Sequence, residues 1–143
     1  MSIDWPPHWL LTPNMISSIC DQNGQTLQIL DLDGFSHGPL RSSSNFGLIN
    51  LASIQLICKK CVVLKEVNFS SSDISEESLN HLVNNLTPII EKLNLDFVEN
   101  LRDDHVQILV KRCNKLKILG ITGNFYQKQC FYKGAIHKLR EHG

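Results

Sequence analysis

One six-residue phrase recurs four times in this chain, and its spacing constrains the fold more than any other feature. Ile90-x-x-Leu93-x-Leu95 returns 26 residues later as Leu116-x-x-Leu119-x-Ile121, and Leu64-x-x-Val67-x-Phe69 stands another 26 residues upstream. The first copy, Leu27-x-x-Leu30-x-Leu32, lies 37 residues before the second. Self-similarity at such a period marks a supersecondary unit that cannot bury its own apolar face and stacks on copies of itself. Inside each phrase the apolar side chains alternate with polar ones, as in Leu30, Asp31, Leu32, Asp33. That is the pattern of a strand with one face buried.

The segments between phrases carry helical spacing instead. Thr12-Pro13 reads as a helix start, followed by Met15, Ile16, Ile19 and Cys20, with Gly24 at the end. Leu51, Ile54, Ile57, Cys58 and Cys61 line the inner side of a second helix. A third has Ser75 as N-cap, Glu76 and Glu77 in its first turn, and Leu79, Leu82, Val83 and Leu86 as its stripe. Val106, Leu109, Val110 and Cys113 form the stripe of the fourth. Lys59 and Lys60, then Lys111 and Arg112, stand in last turns, where cations complement the helix dipole.

Strand and helix in alternation predict an α/β fold: parallel strands on one face and helices outside, in a short right-handed arc of about four units. Three segments follow. Residues 1–26 form a lead-in and a helix, 27–124 the repeats, and 125–143 a non-repeat, flexible tail. A Ser/Gly-rich loop at about 34–47 stretches the first unit. Trp5-Pro6-Pro7 makes the start irregular, because proline lacks an amide donor and restricts its predecessor.

Alternation also says which side chains point away from the helices. They are Ile29, Asp31 and Asp33, then Glu66, Asn68 and Ser70, then Lys92, Asn94 and Asp96, then Ile118, Gly120 and Thr122. Stacking aligns them in columns on the concave face. The expected partner-binding residues are Asp31, Asp33, Glu66, Asn68, Ser70, Lys92, Asn94, Asp96 and Thr122, with four acidic groups against one lysine. A partner segment of basic character fits that face.

The totals restrict function by exclusion. Of 143 residues, 42% are hydrophobic and 20% charged, with a formal net charge of zero. That suits a globular chain without a global pull on nucleic acid or an anionic membrane. The charge is uneven: residues 1–57 carry Arg41 against four acidic groups, and the remainder is slightly basic. An odd cysteine count of five, with no apolar leader, fits the reducing cytoplasm or nucleus.

Catalytic and metal chemistry finds little support. Cys58-Lys59-Lys60-Cys61 has zinc or redox spacing, but a structural zinc site needs two further ligands at matched spacing. Cys61 and Cys113 share one repeat position and read as small buried hydrophobes. His37, His81 and His105, even combined with Cys113, imply no nucleophile–base geometry; His81 and His105 read as solvated residues of outer helices. The tail's Lys128, Lys133, Lys138 and Arg140 are too sparse for nucleic acid. No catalytic, cofactor-binding or metal-binding residue is expected.

Cys113-x-x-Leu116-x-x-Leu119-x-Ile121 and Cys61-x-x-Leu64-x-x-Val67-x-Phe69 resemble the cysteine-containing leucine-rich repeats of F-box/leucine-rich-repeat proteins. So do Ile74-Ser75-Glu76-Glu77-Ser78-Leu79 and its copy Leu101-Arg102-Asp103-Asp104-His105-Val106. The resemblance spans residues 27–124 and implies a leucine-rich-repeat solenoid. It also implies substrate recognition for a cullin-based (SCF-type) ubiquitin ligase, the repeats holding a protein substrate. A cullin adaptor is a further partner only if an F-box exists in a longer form; here Trp5 to Leu11 is faintly like the opening of one and no three-helix remainder follows. The alternatives are a repeat scaffold without a ubiquitin link, or an incomplete fragment of a longer repeat protein.

Overall fold

The computed structural model describes residues 2–4, 13–32, 49–121 and 129–132. Among them are six strands and four helices: β1 (Ser2–Asp4), α1 (Pro13–Asn23), β2 (Ile29–Asp31), α2 (Leu51–Lys60), β3 (Glu66–Asn68), α3 (Glu76–Asn85), β4 (Lys92–Asn94), α4 (Asp103–Arg112), β5 (Ile118–Ile121) and β6 (Gln129–Tyr132). The strands form one sheet in chain order. The pairings from β1 to β5 are all parallel, and β6 runs antiparallel to β5. The helices pack on one another in the same order, α1 on α2, α2 on α3 and α3 on α4. The architecture is α/β, with a sheet layer and a helix layer.

The core lies between the two layers. All twelve apolar positions of the four phrases are buried, from Leu27, Leu30 and Leu32 to Leu116, Leu119 and Ile121. They meet the helix stripes, including Ile16, Ile19, Ile54, Ile57, Leu79, Leu82, Val83, Val106, Leu109 and Val110. Cys61 and Cys113 are wholly buried, at matching helix C-caps.

Local chemistry sets the helix ends. Ser75 Oγ accepts the Ser78 N–H (3.2 Å) at the start of α3, and Asn50 Oδ1 accepts the Ser53 N–H (2.8 Å) at the start of α2. Gly24 closes α1, its N–H donating to Cys20 O at 3.0 Å. A Cβ on Gly24 would lie 2.5 Å from that oxygen and 2.7 Å from Lys60 O. Only glycine lets the ends of α1 and α2 come this close.

The sequence period reappears as the offset of contacts between units. Lys117 Nζ donates to Glu91 Oε1, Lys92 pairs with Glu66, Arg102 pairs with Glu76, and Asn100 Nδ2 donates to Ile74 O, each 26 residues back. The strands begin alike, with Lys65 O accepting from Glu91 and Lys92 N–H, and Glu91 O from Lys117 and Ile118 N–H. Each unit therefore touches its immediate neighbour through equivalent atoms.

Two expectations differ from the structure. The lead-in contains β1 and the tail contains β6, where no strand was anticipated: β1 follows no phrase, and β6 is antiparallel and so lies outside the repeating pattern. The Ser/Gly-rich loop at 34–47 and the Trp5–Leu11 stretch lie outside the described residues.

Candidate functional site: the free face of the sheet

Two rows of side chains, with Asp96 beyond them, stand on the sheet face away from the helices. Register puts Ile29, Glu66, Lys92 and Ile118 in one row, and Asp31, Asn68, Asn94 and Gly120 in the next. Asp96 follows just beyond β4. Together they border an open recess of about 300 Å³, lined by Asp31, Glu66, Asn68, Lys92, Asn94, Asp96 and Gly120 among others. Six expected residues are thus brought together: Asp31, Glu66, Asn68, Lys92, Asn94 and Asp96. Asp33 and Thr122 lie outside the described residues.

Ser70 is a correction. It was expected to point outward, and it is buried at 6% exposure. Strand alternation stops at Asn68, whose Oδ1 accepts the Ser70 N–H at 2.9 Å. Asn94 repeats this turn, its Oδ1 accepting the Asp96 N–H at 2.8 Å. The short Ser70 side chain does not reach past the turn, whereas the longer Asp96 stays half-exposed at the equivalent place. Both asparagines therefore shape the rim with their side-chain oxygens.

The electrostatics are milder than a count of acids suggests. Lys92 Nζ lies 3.3 Å from Glu66 Oε1, with both side chains substantially exposed, so the pair contributes little to stability. Asp31 and Asp96 also line the recess. Ile29 and Ile118, both half-buried, give its first row an apolar end on either side.

Two features of this rim were not anticipated. Gly120 is closely approached by its neighbours: a Cβ there would sit 2.9 Å from both Asn94 Oδ1 and Asp96 Oδ1, and those side chains would have to shift. Phe97 adopts φ 61° and keeps 45% of its surface exposed, next to Asp96. Ser71, its counterpart 26 residues back, has φ 60°. The sequence carried a signal here: Gly34 and Gly123 occupy the same place in the first and last phrases, as a left-handed position favours.

On the helix side, His105, expected to be solvated, is buried at 1% exposure. Its Nδ1 accepts the Arg102 N–H at 2.9 Å, so the ring proton resides on Nε2 and is donated to Asn80 Oδ1, also at 2.9 Å. Burial lowers its pKa below the ordinary value and favours this neutral form. Arg112 binds the preceding helix end, donating to Val83 O (2.7 Å) and Leu86 O (3.0 Å). Cys58 borders a groove with Gln55, Lys59, His81 and Asn85. Burial pushes its thiol up to about 12, which keeps it protonated and unreactive. Among the described residues, no three His, Cys, Asp or Glu side chains are grouped to hold a metal ion, and no helix is long and apolar enough to cross a membrane.

Compared with known proteins, the chain matches no family model and no curated protein.

Proposed function

We propose that the chain is a non-enzymatic protein-interaction module, an arc of about four leucine-rich repeats over residues 27–124 that holds a protein segment on its free sheet face. The observation that carries this reading is the row register: outward side chains from β2, β3, β4 and β5 align across one recess while every inward one is buried. A face of aligned, chemically varied side chains on a rigid sheet presents a pre-organised surface, which lowers the ordering cost of binding. Asp31 and Asp96 favour a partner of basic character. By the resemblance of its Cys-x-x-Leu-x-x-Leu-x-Ile phrases, the module recruits a substrate protein to an SCF-type ubiquitin ligase in the cytoplasm or nucleus.

Two measurements test the two levels of this reading. Proximity cross-linking from the sheet face, compared between the native chain and an Asp31→Lys/Asp96→Lys variant, should capture a protein that the variant loses. Equal capture by both removes the face from the reading. Co-purification of the chain, or a longer form of it, with a cullin adaptor tests the ligase assignment. Absence of adaptor, with face-dependent capture intact, leaves the repeat scaffold.

A further inference from the structure

The Cys58-x-x-Cys61 motif suggests a pair along the chain, but the structure pairs Cys61 with a cysteine of another helix. Cys61 Sγ lies 3.7 Å from Cys20 Sγ, 41 residues away, in a buried contact. Cys58 stands apart, facing its groove with Lys59 and His81. We propose that Cys20 and Cys61 form an oxidisable pair, a modification site at which a hydroperoxide installs a disulfide tying α1 to the C-terminal end of α2.

Two independent observations carry this. The first is the sulfur contact itself, between free thiols with no other group interposed. A disulfide is about 2.05 Å long, so the sulfurs must close by roughly 1.7 Å, which modest side-chain rotations accomplish. The second is the backbone. A cystine holds two chains unusually close, and this junction already does so: a Cβ on Gly24, which closes the turn begun by Cys20, would meet Lys60 O at 2.7 Å. Lys60 immediately precedes Cys61.

The chemistry divides unequally between the sulfurs. Cys61 S–H donates toward Cys20, which lowers the Cys20 thiol below its ordinary value, with a smaller contribution from Lys60. The same contact, with burial, pushes the Cys61 thiol up. The first attack is assigned to Cys20, the sulfur that receives the Cys61 S–H. Its thiolate attacks the outer oxygen of the hydroperoxide, the O–O bond breaks, and the alkoxide leaves and takes a proton as alcohol. Cys61 sulfur then attacks the sulfur of the Cys20 sulfenic acid. The S–O bond breaks, and hydroxide departs with the Cys61 proton as water. In sum, two thiols and one hydroperoxide give one disulfide, one alcohol and one water, with two electrons passing from sulfur to oxygen. Because both thiols are buried, oxidation is slow and quickens in mild denaturant, which admits the oxidant to the junction.

The test uses the whole chain, reduced and then exposed to hydrogen peroxide. Free thiols are blocked with N-ethylmaleimide, and the digest is mapped without reduction. The expected product is a Cys20–Cys61 cross-linked peptide with two thiols lost per chain. Closing this loop should also raise the thermal midpoint by roughly 5–15 °C, reversibly with dithiothreitol. Cys61→Ser should abolish the link and leave a sulfenic acid at Cys20 that dimedone captures. Links that instead join Cys58, Cys113 or Cys130, or full alkylation of Cys20 and Cys61 after exposure in mild urea, overturn the proposal. The mapping on the native chain decides even if the variant fails to fold.

Discussion

Between α1 and α2 the chain is held by sulfur and bare backbone; between α3 and α4 it is held by hydrogen bonds. At the first junction Gly24 lets the helix ends touch, Cys20 meets Cys61, and the ion pair of Lys60 with Asp21 (3.7 Å) is exposed. At the last, His105 bridges to Asn80, Arg112 serves two carbonyls of the preceding helix, and Asn100 reaches Ile74 O. The two junctions stack in one architecture and fail in different ways. The first tolerates no added volume. The last tolerates added volume better than the loss of a donor, and it responds to acid.

The largest effect should come from volume. Gly24→Val places carbon within 3 Å of two backbone oxygens, neither of which can swing away. A loss of about 3 kcal/mol is expected in urea unfolding. Thr87 fills the matching position of a later unit and donates to Val62 O at 2.9 Å, between the ends of α2 and α3, so Thr87→Val should cost only about 1 kcal/mol. Equal losses at the two sites would mean that Gly24 is no more tightly enclosed than its later counterpart.

Removing a donor inverts the order. Arg112→Ala strips a charged partner from Val83 O and Leu86 O and should cost about 2 kcal/mol. Lys60→Ala at the first junction loses only an exposed pair and should cost under about 0.5 kcal/mol.

Acid separates the junctions further. The His105 pKa is lowered in the folded state, so unfolding takes up a proton between the folded value and the ordinary 6.5. Its contribution is therefore complete above about pH 6.5 and is lost as pH falls toward the folded value. Protonation at Nδ1 also removes the acceptor for the Arg102 N–H. Denaturant midpoints measured from pH 8 to 5 should fall, and His105→Gln should flatten that part of the curve; an unchanged slope places the effect elsewhere.

The smallest effect is a near balance. Phe97→Gly relieves a left-handed backbone but removes the half-buried part of the ring, so a net change within about 0.5 kcal/mol is expected in urea unfolding. If the sheet face binds a partner, the same substitution should weaken capture, because Phe97 is the exposed aromatic group beside Asp96.

Much of this was legible because the repeat encodes it twice, once in apolar spacing and once in caps. The strands β2 to β5 fall inside the four phrases, and Ser75 caps α3 as its place before Glu76 and Glu77 implies. Asp31, Glu66, Lys92 and Asn94 were readable as outward because alternation holds through the strands themselves. Ser70 was not, because Asn68 ends the strand with a side-chain hydrogen bond that spacing does not register. Nor was the burial of His105, which follows Arg102, Asp103 and Asp104 and owes its cover to Asn80, 25 residues earlier. Nor was the meeting of Cys20 with Cys61, which lie 41 residues apart at the ends of different helices. The strands β1 and β6 follow no phrase at all.

The antiparallel direction of β6 has a consequence of its own. Its register, from Ile118 opposite Tyr132 to Ile121 opposite Gln129, occupies the backbone groups that β5 would otherwise offer to a newcomer. A further parallel strand, from this chain or from another molecule, can join β5 only by first peeling β6 away. A row of unpaired amides and carbonyls is the usual template for runaway strand-on-strand association. Here β6 covers the β5 edge, and peptides matching β5 should fail to pair with β5 until β6 is displaced.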